Sequence, residues 1–336
     1  MIVLIFLFVA FAQGSRYVVQ CSLSRTSIEN SLYAANINRL AAIVVNSTHF
    51  LYEQTVGYNA SRIIDTGRLI DSCKTIFVLA SISKTFIAVA VLQLVEFNKL
   101  DLDKDVNQYL LSHMKAGLFD LGTHTSGIGP NFDEEMKHYL PSDDFTKKNL
   151  SDTILLYINN KSNWLSKLPG TTFHYSNTGA SLVELVIEQI AEIPFGRHVD
   201  NTSELLYIPH FSVTDYPAGL LRMSAHSLAI YFQSFLNNFP SVLLNSSSVN
   251  EMIRVNRNEK AEVRFGLLWY WLNFHRSRFI GHRGVMLGII NIMMANANRT
   301  LGVAILSNGD VRKSDESAKN VEVTNNESYD QIVPLL

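Results

Sequence analysis

Ser81-Ile82-Ser83-Lys84 opens the run Thr85-Phe86-Ile87-Ala88-Val89-Ala90-Val91-Leu92-Gln93-Leu94-Val95-Glu96-Phe97, and this stretch decides how the rest is read. A serine and a lysine three residues apart share one face of a helix, one turn from each other. The lysine can then hold the serine hydroxyl and help remove its proton, while the positive end of the helix favours developing negative charge. Behind them lie about four helical turns with few polar breaks, which predicts a buried helix carrying a nucleophile at its tip. Ser112-His113-Met114-Lys115 has the same spacing but no such apolar run behind it, so Ser81 and Lys84 are the candidate pair.

Upstream, Ala41-Ala42-Ile43-Val44-Val45 and the segment from Phe50 to Tyr58 are strand-like, and Asn46-Ser47-Thr48-His49 between them predicts a hairpin. Downstream, a polar, loop-rich middle runs from about Asp101 to Asn163, containing the turn cluster Gly122-Thr123-His124-Thr125-Ser126-Gly127. A second helical pattern begins near Thr178, with Leu182, Leu185, Val186, Gln189 and Ile190 at helical spacing. Phe265 to Trp271, Val285 to Ala295 and Leu301 to Leu306 read as three consecutive strands. Strands at both ends of the chain predict an α+β fold: one antiparallel sheet flanked by helices, with a mostly helical region inserted at about residues 100–262. A catalytic domain is expected over residues 30–310, followed by a polar tail over 311–336.

Composition narrows the function classes. The 336 residues are 47% hydrophobic and 17% charged, enough for a substantial core, and the net charge of -2 gives no electrostatic case for nucleic acid. The apolar run Ile2 to Ala12 is short of the ~20 residues that span a bilayer, so no stable membrane span is expected. Ala12-Gln13-Gly14 closes it with small residues, so residues 1–14 are expected to be a cleaved leader and the mature protein extracellular, a buried N-terminal strand being the alternative reading of the run. Asn-x-Ser/Thr sequons at Asn46, Asn59, Asn149, Asn160, Asn201, Asn245, Asn298 and Asn326 are compatible with a glycosylated secreted chain. Two cysteines, Cys21 and Cys73, allow at most one internal disulfide. No glycine-rich phosphate loop or zinc-finger spacing is present, so no cofactor or metal is expected.

Two further motifs stand out. Tyr175-Ser176-Asn177 precedes the second helix; a tyrosine near a lysine ammonium can have its phenolate stabilised and serve as a base, and Asn177 can offer its amide to the same site. Gly281-His282-Arg283-Gly284 stands at the head of the strand beginning at Val285, where a glycine lets the strand lie flat against a substrate and offer backbone N–H groups. In this order the three motifs resemble the penicillin-binding-protein-like serine hydrolases, in the branch of class C β-lactamases, D-alanyl-D-alanine carboxypeptidases and bacterial carboxylesterases. Ser-x-x-Lys, Tyr-x-Asn and His-x-Gly are matched by Ser81/Lys84, Tyr175/Asn177 and His282/Gly284. His124-Thr125-Ser126-Gly127, Pro169-Gly170-Thr171 and Tyr216-Pro217-Ala218-Gly219 also look like family landmarks, whereas His226 follows Ser224-Ala225 where an acidic residue is common.

The resemblance implies a serine hydrolase working through an acyl-enzyme on a small-molecule or peptide ester or amide. Ser81 would attack, Lys84 and Tyr175 would manage its proton, and Asn177 would orient the lysine. The N–H groups of Ser81 and Val285 would form the oxyanion hole, His282 would fill a place often held by lysine, and Arg283 would stand in for that lysine toward a substrate carboxylate. An unperturbed imidazole titrates near pH 6.5, so His282 is expected to shape turnover between about pH 5.5 and 7.5. A shortened helical region, and a chain ending soon after its last strand, raise the alternative of a catalytically weak member with a binding or scaffold role.

Overall fold

The computed structural model describes residues 39–57, 69–109, 117–129, 131–141, 148–191, 211–240, 243–255, 263–274, 277–286 and 288–307. The chain begins with β1 (Leu40–Val45), β2 (Phe50–Val56) and β3 (Ile76–Val78), then a 3-10 turn at Ala80–Ser83 that runs straight into α1 (Lys84–Glu96). Next come α2 (Leu118–Gly122), α3 (Phe132–Met136), β4 (Tyr139–Pro141), α4 (Leu150–Asn159), α5 (Asn177–Ala191), β5 (Phe211–Val213) and β6 (Arg222–Ser224). The last part holds α6 (Ala225–Leu236), α7 (Ser246–Ile253), β7 (Val263–Phe265), β8 (Tyr270–Phe274), β9 (Ser277–Met286), β10 (Ile289–Asn296) and β11 (Gly302–Ser307).

Seven strands form one antiparallel sheet in the order β2-β1-β11-β10-β9-β8-β7, with the first two strands along one edge, so the α+β architecture built from both ends of the chain is realised. The β1–β2 hairpin forms as expected, its turn held by Asn46 Oδ1, which accepts from the N–H groups of Thr48 and His49 at 2.9 and 2.6 Å. β1 is apolar along its length because it lies inside the sheet with α6 packed over it and β11. α1 buries Ile87, Val89, Val91, Leu92 and Leu94 together with Thr85 and Gln93, so it is enclosed on all sides and not amphipathic. Each of those large aliphatic side chains contributes about 2 kcal/mol of burial.

The C-terminal strands depart from the expectation: five are present where three were read. The segment Phe265 to Trp271 is not one strand but the corner joining β7 to β8, closed by Gly266 N–H donating to Trp269 O at 2.8 Å and by Leu268 at φ 55°. The corner is apolar because it is buried. The N–H groups of Leu267 and Leu268 are satisfied by Met252 O and Gly122 O, each at 2.8 Å, so no polar turn residue is needed and none advertises the turn. Val285 to Ala295 is likewise divided between β9 and β10, with Gly288 at φ 70° in the connection.

Among the described residues no helix is long and apolar enough to cross a membrane. The expected leader at 1–14, the tail at 311–336, Cys21 and the sequons at Asn59, Asn201 and Asn326 lie outside the described residues.

Candidate active site

Ser81 lies in the 3-10 turn that precedes α1. Side chains three apart eclipse in such a turn, and Lys84 Nζ accordingly donates to Ser81 Oγ at 3.0 Å. A second donation from Lys84, to Ala218 O at 2.6 Å, fixes the amine from the other side. Lys84 is fully buried, and burial lowers its pKa from 10.5 to about 7, against the opposing pull of the Asp215 and Glu135 carboxylates. Glu135 is itself pushed upward, by burial first and then by Asp215. An amine held this way exchanges its proton near neutral pH.

Tyr175 stands beside this pair, with Lys84 Nζ 5.1 Å from the centre of its ring. Its hydroxyl makes no hydrogen bond of good geometry, and burial raises its pKa, an effect that the neighbouring Ser81 hydroxyl only partly offsets. The environment therefore keeps it a phenol, not the phenolate anticipated from its nearness to lysine. Asn177 is the first residue of α5, two positions on and partly buried, and no hydrogen bond joins its amide to Lys84 or Tyr175. Ser176 between them caps α5 by accepting from Gly179 N–H at 2.9 Å.

The segment carrying Tyr175 is laced to the His124-Thr125-Ser126-Gly127 turn. His174 N–H donates to His124 O at 2.8 Å, and Ser176 N–H donates to His124 Nδ1 at 3.2 Å. A backbone N–H can only donate, so neutral His124 carries its proton on Nε2. Its ring lies 4.4 Å from that of Tyr175, and burial, reinforced by Lys84, holds its pKa well below the usual range.

His282 lies within β9 and not ahead of a strand. Its Nδ1 donates to Arg283 O at 2.6 Å, which leaves Nε2 as the lone-pair nitrogen, buried and without a hydrogen-bond partner. Burial, then Lys84, lowers its pKa to about 3, so the imidazole stays neutral across the range where it was expected to titrate. Arg283 turns toward β8, donating from Nε to the Tyr270 hydroxyl at 2.7 Å.

Gly284 fits a tight crossing: a Cβ there would lie 2.3 Å from Leu79 O, so β9 passes directly against the turn that bears Ser81. The pairing of β8 with β9 stops at Tyr270–Gly281, and β9 runs on past it with no strand on that edge among the described residues. Met286 pairs with Ile289 across a two-residue connection, which makes Val285–Ile290 the next, non-hydrogen-bonded pair of the ladder. The Val285 N–H therefore points to the open edge. Ser81 N–H lies in a first helical turn, where such groups have no acceptor within the helix. Ser81, Lys84, Tyr175, His282, Gly284 and Val285 thus meet where the Ser81 turn packs on β9.

Ala218, His124, Asp215 and Glu135 enter this site without having been singled out for it. His124 and Ala218 belong to quoted landmark segments, so a signal existed; nothing local marks the two acids, which act from a distance through charge.

Three sets of similarities accompany this geometry. Protein flp of Staphylococcus aureus strain MRSA252 is 20% identical over 359 aligned positions, covering 93% of this chain and 68% of that protein. The D-amino acid amidase of Ochrobactrum anthropi SV3 superposes with a TM-score of 0.71 at 16% identity, over 92% of this chain and 99% of that one. The β-lactamase/D-alanine carboxypeptidase of Pseudomonas syringae gives 0.69 at 16% identity, over 92% and 97%. At such identities these structures speak to the fold, and the fold is that of the resemblance read from the three motifs. The model of the Beta-lactamase family matches residues 27–325, nearly the whole chain, and the chain belongs to that family.

Proposed function

We propose that the protein is a serine hydrolase that cleaves an ester or amide of a small molecule or peptide through an acyl-enzyme on Ser81. One observation carries the reading: a buried amine with its pKa lowered to about 7 lies 3.0 Å from the Ser81 hydroxyl. At pH 7 to 8 much of Lys84 is neutral, so it takes the Ser81 proton as Oγ attacks the substrate carbonyl carbon. The oxyanion accepts hydrogen bonds from the N–H groups of Ser81 and Val285, worth on the order of 3 kcal/mol per donor. Tyr175, kept as a phenol, passes a proton to the leaving alcohol or amine and regains one from Lys84. Water then attacks the acyl group and gives its proton to Lys84; as the bond to Ser81 Oγ breaks, Lys84 returns that proton to Oγ and the acid leaves. Neutral His282 offers a lone pair toward this space, and Asn177 at the head of α5 is available to the acyl chain.

The amide-cleaving names among the structural neighbours support including D-amino acid amides in the substrate panel. The apolar N-terminal run and the exposed sequons at Asn149, Asn160, Asn245 and Asn298 support secretion as the setting. The experiment is labelling with a fluorophosphonate or a fluorescent penicillin, read by intact mass and peptide mapping. One adduct on the Ser81 peptide, absent from Ser81→Ala, is expected. An adduct that survives Ser81→Ala refutes the assignment, and no adduct together with no turnover on ester, amide and β-lactam panels favours the binding role.

A further inference from the structure

A second cluster of chemically active side chains lies away from Ser81. Glu53 on β2, Cys73 in the turn before β3 and His226 in the first turn of α6 bring one ligand atom each to within 4.8 Å of one another. Glu53 Oε1 and His226 Nδ1 are 3.8 Å apart. That nitrogen is buried and makes no hydrogen bond, while its ring is held by stacking on Phe50 at 4.7 Å. The backbone binds the three elements together: His226 N–H donates to Ser72 O at 2.9 Å, and the Ser72 hydroxyl donates to Glu53 Oε1. Cys73 is an exposed thiol whose turn is fixed by its N–H donating to Asp71 Oδ1 at 2.8 Å.

We propose that Glu53, Cys73 and His226 form a zinc-binding site. The donor set decides the ion: one thiolate, one imidazole and one carboxylate suit Zn²⁺, whereas Ca²⁺ and Mg²⁺ require oxygen. Tetrahedral zinc places its donor atoms about 3.6 Å apart, from bond lengths of ~2.0 to 2.3 Å. The Glu53–His226 pair already stands close to that separation, and the exposed Cys73 side chain closes the remaining gap. Binding forms the Zn–S bond with release of the thiol proton to solvent, and a water molecule takes the fourth position. The buried Nδ1 of His226 gains a ligand bond where it makes no hydrogen bond now, and the Ser72 hydroxyl, donating to Glu53 Oε1, orients the carboxylate.

The site is separate from the hydrolytic one. β3 and β6 form a two-stranded ribbon with Ile76 opposite Ser224 and Val78 opposite Arg222. Cys73 and His226 flank the Ile76–Ser224 end; Ser81 follows the Val78–Arg222 end, about 7 Å of strand further on. The ion therefore anchors the far end of the ribbon that delivers the Ser81 turn, and it takes no part in acyl transfer.

The test is titration of the reduced, metal-stripped full-length protein with Co²⁺, followed by Zn²⁺ competition against a chromophoric chelator. One Co²⁺ per chain with a thiolate-to-cobalt charge-transfer band, displaced by one equivalent of Zn²⁺, is expected. Cys73→Ser, a small change at an exposed position, abolishes the band and weakens Zn²⁺ on the order of 100-fold while leaving hydrolysis unchanged. His226→Ala weakens Zn²⁺ comparably. Absence of the band in the wild-type protein, a band that persists in Cys73→Ser, or a Cys21–Cys73 disulfide in the protein as purified each overturns the proposal. None of these results bears on acylation of Ser81.

Discussion

Replacing Lys84 by methionine is expected to stabilise the protein at neutral pH while abolishing turnover. The structure buries the amine completely and lowers its pKa from 10.5 to about 7, which corresponds to about 5 kcal/mol of preference for the neutral form. Methionine fills similar volume without that desolvation. It also removes the donations to Ser81 Oγ and Ala218 O and leaves a buried carbonyl unpaired, together about 2 to 4 kcal/mol. The net expectation at pH 7 is a gain of about 1 to 3 kcal/mol for Lys84→Met. The sign follows from proton counts. Between pH 7 and 10.5 the unfolded lysine holds a proton that the folded one has lost, so wild-type stability rises with pH over that window. The advantage of Lys84→Met is thus largest at and below pH 7 and shrinks by about 1.4 kcal/mol per pH unit above it. Urea unfolding of both proteins at intervals from pH 6 to 10 measures the difference directly. A gap that stays constant over that range refutes the reasoning, because it means the amine is not desolvated.

Further outcomes concern the chemistry. The kcat/KM profile on an ester substrate should rise through about pH 7 as Lys84 loses its proton, and the same limb should persist in His282→Gln; its loss there would return that ionisation to the histidine. Tyr175→Phe keeps the ring under Lys84 and removes only the hydroxyl, so kcat should fall roughly 100-fold or more with unchanged far-UV circular dichroism. Equal turnover would make Tyr175 a packing residue. Gly284→Ala places a Cβ 2.3 Å from Leu79 O and must push β9 from the Ser81 turn, costing on the order of 100-fold in kcat/KM; unimpaired acylation would show that the close crossing is dispensable.

What the sequence announced and what it hid follow different physics. Ser81 and Lys84 were legible because a buried helix writes its apolar character continuously, and a polar pair at its tip stands out. The β1–β2 hairpin was legible because its turn is exposed and Asn46 must satisfy it. The β7–β8 corner was hidden by the opposite circumstance, since its amides are satisfied by distant carbonyls inside the core. The protonation states were hidden too. Tyr175 and His282 were read by their types, whereas burial decides both: the phenol is kept protonated and the imidazole is driven down to about 3. Nor could spacing show that residues as far apart in sequence as Glu135 and Lys84 sense each other's charge.

Ala80, at φ 50°, holds a left-handed conformation immediately before Ser81, a strain of order 1 to 2 kcal/mol that a relaxed chain would release. The turn is held by segments remote in sequence: Leu221 O receives Leu79 N–H at 2.8 Å, Asn291 donates to Val78 O at 2.8 Å, and Gly284 seals the outer side. A chain still lacking its last strands lacks two of these three restraints, those from Asn291 and Gly284. Reactivity at Ser81 is then a property of the finished molecule, and covalent labelling counts completed chains: during synthesis, refolding or thermal loss, the labelled fraction should follow the burial of β9 and β10 and ignore any earlier helical order.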